Sequence, residues 1–325
     1  MNSEQIKKMA YSCGFDLCGI VSPDDIPEAQ KGLKNWLLKG YQGEMDYMSK
    51  EPERRSSPRQ LMSDVRSIIM LGLNYYQPDS KEIPNGNGIV SKYARGKDYH
   101  KVIAKKTKKL ISELRKNSDG IKDSDFRWYV DYGPMLERSY AAKAGLGYIG
   151  KNSLLINKDY GSWIFLSEIL TTLEIEPDNP YGIDHGQCGR CTMCIVSCPT
   201  GAIVEDGVID STKCISYLTI EKKGDIAADL SKKMKQRLFG CDICQDVCPK
   251  NKAAQFTVHQ EFIDGGVGEH LDPAIVERME SREDFLALTA GTPLTRAKLD
   301  GLRRNAHIAA TNAKGSKEKF LPRKS

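Results

Sequence analysis

The run CGRCTMCIVSCP, in which Cys188, Cys191, Cys194 and Cys198 precede Pro199, constrains this chain more than any other stretch. Its C-x2-C-x2-C-x3-C-P spacing is that of two-cluster ferredoxins. Three cysteines close a tight loop around one [4Fe–4S] cube and the fourth reaches the neighbouring cube. The spacing argues for iron–sulfur clusters ahead of zinc. A second run, CDICQDVCP, supplies Cys241, Cys244 and Cys248 before Pro249 but carries Leu238 where a regular run would begin. Cys214, in STKCISYLTIE, is the candidate for the missing ligand. Crossed pairing then predicts Cys188, Cys191, Cys194 and Cys248 on one cluster and Cys198, Cys214, Cys241 and Cys244 on the other. Two of the ten cysteines, Cys13 and Cys18, need no role beyond packing.

Clustered thiols in a chain without an apolar N-terminal leader read as metal ligands rather than a disulfide framework, and the cytoplasm is the expected location. No run approaches the roughly 20 apolar residues of a membrane span. With 325 residues, 40% of them hydrophobic, the chain can bury one large core and one smaller one. Helices are expected over 3–12, 28–39 and about 99–115, and strands in FDLCGIV, 67–75, FRWYV, 153–157 and 162–173. The expected division is an α/β (α+β) domain over 1–181, a ferredoxin-like two-cluster module over 182–255, and a C-terminal helical segment with a basic tail over 256–325. The net charge of +5 is mild, but two stretches concentrate it. Residues 91–109 hold eight Lys/Arg against one acid, and residues 221–237 hold six against three. Such stretches are either solvated helix faces or seats for a polyanion.

Two adjacent clusters move electrons singly, so something in the larger domain should accept them. No G-x-G-x-x-G follows a strand, and neither a P-loop nor H-E-x-x-H occurs. The D-x-H-x-x-G pattern of histidine-ligated cobalamin starts at Asp98 and His100 but meets Ile103 where glycine is required. The five histidines are scattered and read as structural. In VDYGPMLERS a strand runs into Asp131, and a helix is expected to follow with Pro134 in its first turn and Gly145 at its end. On the residues alone, Asp131 caps that helix or closes an Asx-turn with Gly133.

Six blocks occur together in this order: KYARGKDYHK, DYGPMLERSYAAKAGLGYIGKNSLLI, GSWIFLSEILT, CGRCTMCIVSCPTGAI, CISYLTIE and FGCDICQDVCP. With the later RRNAHIA they span nearly the whole chain, which resembles the epoxyqueuosine reductases. That resemblance implies an N-terminal corrinoid-binding domain packed on the ferredoxin-like module, with cobalamin held base-off and no protein histidine on cobalt. It also implies reduction of the epoxide of epoxyqueuosine at the tRNA wobble position. Only the start of the longer helical extension of some members is present. The family's acid is an aspartate in the second block, matched here by Asp131. A donor working near neutral pH needs burial or nearby negative charge to hold its proton.

Around Asp131, the candidate cofactor contacts are Lys97, Arg138, Lys151, Asn152, Ser153, Ser216 and Tyr217, with packing as the plain role for the tyrosine. Candidate tRNA contacts are Lys222, Lys223, Lys232 and Arg237, whereas Lys105, Lys106, Lys108 and Lys109 read as a solvated helix face. An external low-potential electron donor and a monomer are expected. Two other function classes compete: a corrinoid iron–sulfur reductase of a small molecule, resembling reductive dehalogenases, and a non-enzymatic electron-transfer ferredoxin.

Overall fold

The structure is a computed structural model that describes residues 1–80, 84, 86–178 and 188–318. The first domain opens with α1 (Ser3–Ser12), β1 (Leu17–Val21), α2 (Pro27–Leu38), β2 (Ser67–Asn74), β3 (Gly88–Val90) and α3 (Tyr99–Lys116). It continues through β4 (Phe126–Tyr129), α4 (Glu137–Lys143), β5 (Tyr148–Ile149), β6 (Leu155–Ile156) and β7 (Ile164–Thr171). β1, β2, β7 and β4 form one sheet in that spatial order, and every neighbouring pair is antiparallel. The domain is therefore α+β, without the parallel crossovers that strand–helix alternation suggests.

β2 is apolar from Ile68 to Leu73 because both of its faces are covered, and its polar ends, Ser67 and Asn74, are hydrogen-bonded. Ile69, Leu71 and Leu73 point to the core shared with α1 and α3, while Ile68 and Met70 point to the core shared with α4. Successive side chains of a strand alternate between faces, so a strand buried on both sides must be apolar at every position. Cys13 and Cys18 are free and buried in the first of these cores, with burial pushing the Cys18 thiol up to about 12. They are packing residues.

The module and C-terminal segment contain α5 (Met193–Ser197), the hairpin of β8 (Ile203–Glu205) and β9 (Val208–Ile209), α6 (Ile215–Ile220), α7 (Ala228–Met234), β10 (Arg237–Phe239) and α8 (Ile243–Asp246). After these come α9 (Gln260–Ile263), β11 (His270–Leu271), α10 (Pro273–Glu277), α11 (Arg282–Thr289) and α12 (Lys298–Glu318). A second sheet places β3 between β10 and β11, so one strand from each expected unit meets there. α12 clamps this junction through buried Asn305, whose Nδ2 donates to Thr219 O at 2.7 Å and Leu238 O at 3.0 Å. Arg304 donates to the carbonyls of Leu218, Lys222 and Gly224. The RRNAHIA stretch thus pins the backbone between Cys214 and the second cysteine run.

Candidate active site

Cys188, Cys191, Cys194 and Cys248 line one cavity, together with Lys151, Asn152 and Met193. Elsewhere Cys214 lies beside Cys198, and Cys244 lies beside both Cys241 and Cys214. The fold brings together the same two sets of four that crossed pairing groups. Among the described residues no His, Cys, Asp or Glu side chains converge as ligands of a single ion do; thiols spread around a cube stand further apart. Two buried donors lie at the first quartet. The Asn152 amide nitrogen has no partner, and the Tyr148 hydroxyl meets no nitrogen or oxygen but lies against Cys188. Donors aimed at cluster sulfurs offset their charge and tune their potential. The second quartet is deeper: burial pushes the Cys241 thiol up to about 12 and that of Cys244 well above its ordinary value. Beside the first quartet Met193 is 48% exposed.

Asp131 follows β4 with φ +61°, a left-handed backbone that costs a non-glycine residue roughly 1–2 kcal/mol. Its N–H donates to Glu137 Oε1 at 2.8 Å. A hydrogen bond of this kind contributes about 0.5–1.5 kcal/mol, which offsets most of that cost. The helix expected from Pro134 begins only at Glu137, and its cap position, Leu136, makes no side-chain cap. Asp131 therefore does not cap it. Nor does the carboxyl close an Asx-turn, because its partners lie on α3. Tyr99 Oη donates to Asp131 Oδ2 at 2.5 Å, and His100 Nε2 stands 3.6 Å from the same oxygen. His100 Nδ1 is 2.8 Å from Asp98 Oδ1, which also accepts from the His100 backbone N–H at 3.0 Å and so caps α3. Gly145 does end α4 as expected, with φ +78° just after its last turn.

The Asp131 side chain is 61% exposed by area, yet burial within surrounding protein is the largest single influence on its titration. Both hold for a carboxyl whose tip is open to solvent while protein packs closely around the rest of it. Burial pushes the carboxyl up, but the adjacent imidazolium of His100, the hydrogen bond from Tyr99 and the charge of Arg296 outweigh it, so its pKa is lowered. For His100 burial works downward, and the carboxylates of Asp131 and Asp98 prevail, taking it up to about 9. At neutral pH the resting pair is a carboxylate and an imidazolium. The proton a donor needs is held on His100, a residue that the scattered histidines of the sequence gave no reason to single out.

Other candidates fall into separate groups. Arg138 donates to Ser153 O and, at 2.9 Å, to Ser153 Oγ, so two expected cofactor contacts meet beside the Asp131 loop. Ser153 is also left-handed, at φ +64°. Lys151 lies 3.1 Å from Asp206 and lines the first-quartet cavity. Lys97 is exposed, with its stem over Gly265. Ser216 and Tyr217 adjoin Cys214, and their backbone N–H groups donate to its sulfur. The Tyr217 ring itself is in the core and its hydroxyl accepts from Glu44 N at 2.8 Å, which is a packing role.

Of the basic residues, Lys223 and Lys232 are exposed, whereas Lys222 is bound to Glu44 at 2.5 Å and Arg237 neighbours Cys241. Lys222 is thus committed within the protein, and Arg237 lies beside the second quartet. Lys106 packs over Gly14 and Lys108 over Trp128, as on a solvated helix face. Arg296, far along the chain, holds Glu221 at 2.9 and 3.1 Å, lies over the Tyr47 ring, and lowers the Asp131 carboxyl through its charge. Tyr132 and Tyr47 are exposed aromatics, at 64% and 42%, near the same carboxyl.

Residues 187–251 match the family described as 4Fe-4S double cluster binding domain, so the module holds two iron–sulfur clusters. Residues 55–132 match Epoxyqueuosine reductase QueG, DUF1730. The epoxyqueuosine reductase of Cyclobacterium marinum is 40% identical over 96% of this chain and 98% of its own length. That of Escherichia coli is 37% identical over 96% of this chain and 81% of its own. A crystal structure of an epoxyqueuosine reductase with an epoxyqueuosine-modified tRNA-Tyr stem loop superimposes with a TM-score of 0.85 at 30% identity, covering 97% of this chain and 82% of that one. A Bacillus subtilis epoxyqueuosine reductase, with the loop of its catalytic aspartate swung out of the active site, gives 0.85 at 29% identity over 97% and 82%. No helix among the described residues is long and apolar enough to cross a membrane. The chain belongs to the epoxyqueuosine reductase family.

Proposed function

We infer that this chain reduces the epoxide of epoxyqueuosine at the wobble position of tRNA, giving queuosine, with Asp131 as the proton donor. The observation that carries this reading is the Asp131 carboxylate, bonded by Tyr99 and neighboured by His100, in a family member with two clusters. Removing the epoxide takes two electrons and two protons and releases the oxygen as water. The clusters, with the two cysteine quartets as their ligands, supply electrons one at a time. Cobalamin is the cofactor we assign to the Asp131 site, where it would supply strongly reducing cobalt chemistry. Arg138 and Ser153, joined to each other and accessible, fit its rim of amides, and Lys97 and Asn152 are further candidate contacts.

The residues of this chain manage the protons. In the resting site the proton sits on His100 Nε2, and Asp98 fixes the ring through Nδ1. When substrate fills the site and expels water, the ion pair loses solvation and burial favours the neutral pair. The proton then passes from His100 Nε2 to Asp131 Oδ2 and on to the leaving oxygen, and a second follows the same route once solvent has returned a proton to the 36% exposed His100 ring. Exposed Tyr132 and Tyr47 offer stacking faces to an unpaired base, and Lys223 and Lys232 reach phosphates. The chain acts in the cytoplasm as a monomer with an external low-potential donor. Its working division is 1–181 for cofactor and substrate, 182–255 for the clusters, and 256–325 as the clamp.

The test is anaerobic turnover of epoxyqueuosine-containing tRNA by the parent and by Asp131→Asn. Queuosine formation is expected to fall about 10²–10⁴-fold with iron content unchanged. Parent-like turnover would exclude Asp131 as the donor.

A further inference from the structure

Glu168 is the most deeply placed acid near the site. It lies on β7, its residue is fully buried, and neither carboxyl oxygen meets an N–H or O–H donor among the described residues. What it does meet is the Glu137 carboxyl. Two carboxylates cannot bond each other, so this contact requires a proton on one of them. The other Glu137 interaction is the hydrogen bond accepted from Asp131 N at 2.8 Å. Glu168 thus reaches the Asp131 loop through a single intermediary. Gly133 lets the loop pass this close: a side chain there would sit 2.5 Å from Tyr129 Cβ and 3.1 Å from Glu168 Oε1.

We propose that Glu137 and Glu168 form a positioning pair sharing one proton, which holds the Asp131 loop inward in its left-handed conformation and releases it when the proton is lost. This rests on Asp131 being the donor, as inferred above. The singly protonated pair keeps Glu137 Oε1 as an acceptor while limiting the negative charge beside Asp131. Loss of the proton leaves three adjacent anions on two elements and a loop, and the loop is the part free to move. Glu168 is faced by Glu137, Asp131 and Tyr129. Glu137 is faced by Asp131, Arg138, Arg55 and Tyr99. Asp131 in turn faces His100 and Arg296, with Tyr47 and Tyr93 beyond them. Arg138 and Arg55 are the cations next to the pair, and burial weakens both. Burial raises both carboxyls, and the charge of Asp131 adds to it, which places release of the shared proton on the alkaline side of neutrality.

The pair can be observed without turnover. An infrared pH titration of the substrate-free protein should show a protonated carboxylic acid at pH 7 in the parent. Glu168→Gln should lack it, because the amide replaces the shared proton and leaves Glu137 ionised. In turnover, Glu168→Gln should shift the alkaline limb of kcat upward by about one pH unit. Glu168→Leu should lower kcat about a hundredfold at every pH with KM little changed, through displacement of the loop. Absence of the acid band in the parent, or the same band in Glu168→Gln, overturns the pair. An unmoved alkaline limb in Glu168→Gln overturns its control of the loop. The band present with no turnover in any variant would leave the pair standing and refute the assigned reaction.

Discussion

Asp98→Asn removes one charge and little else. Asparagine is as good a helix cap as aspartate, so the bond to the His100 N–H at 3.0 Å and the start of α3 should survive. What is lost is the anion 2.8 Å from His100 Nδ1. The rise of His100 from its ordinary 6.5 to about 9 corresponds to roughly 3.4 kcal/mol before solvent screening. His100 is 36% exposed, which reduces that figure to about half. Burial works against the rise, so the two carboxylates together supply more than this net figure, and removing Asp98, one of the two, should lower the titration of His100 by about one pH unit, to about 8. At pH 8 the imidazolium fraction then falls from about nine-tenths to about half. The sign follows from a raised pKa. The ion pair's contribution to stability is complete below about 6.5 and is lost as pH rises through about 9 in the parent, and through about 8 in the variant. The assay is an NMR pH titration of the imidazole signals, assigned with His100→Gln, alongside queuosine formation over the same range. A His100 that titrates near 6.5 in the parent, or that does not move in Asp98→Asn, would refute the reasoning that the proton is held there.

Cys214→Ala should reduce iron from about eight to about four per chain and abolish turnover, with the first quartet's cluster retained; full iron content would remove Cys214 from the ligand set. Lys223→Ala and Lys232→Ala should each reduce the salt dependence of tRNA binding by about 0.7–0.9 in log–log slope, measured by filter binding. Lys222→Met should leave that slope unchanged and instead lower the melting temperature, because Lys222 is tied to Glu44. A slope change equal to those at Lys223 and Lys232 would put Lys222 on the phosphate path.

The cluster ligands were legible because three corners of a cube are held by one short loop, so their chemistry is written in local spacing. Asp131 was legible only as a place, a polar residue where β4 stops, and its environment was not. His100 reads as one more helix-surface histidine until α3 is laid along the sheet and brings it 3.6 Å from a carboxylate 31 positions later. Glu168 looks like a polar interruption in an apolar strand, and only the pairing of β7 with β4 sets it opposite Tyr129 and near Glu137. Arg296 belongs to a segment whose sequence promised no more than helix. Sequence by itself determined two clusters and a polar strand-to-helix junction at Asp131, since both depend on residues close in the chain. Tertiary structure decided the antiparallel strand order and the protonation of the site. A carboxyl's pKa depends on which charges and how much protein surround it, and those neighbours come from α3, β7 and the C-terminal segment.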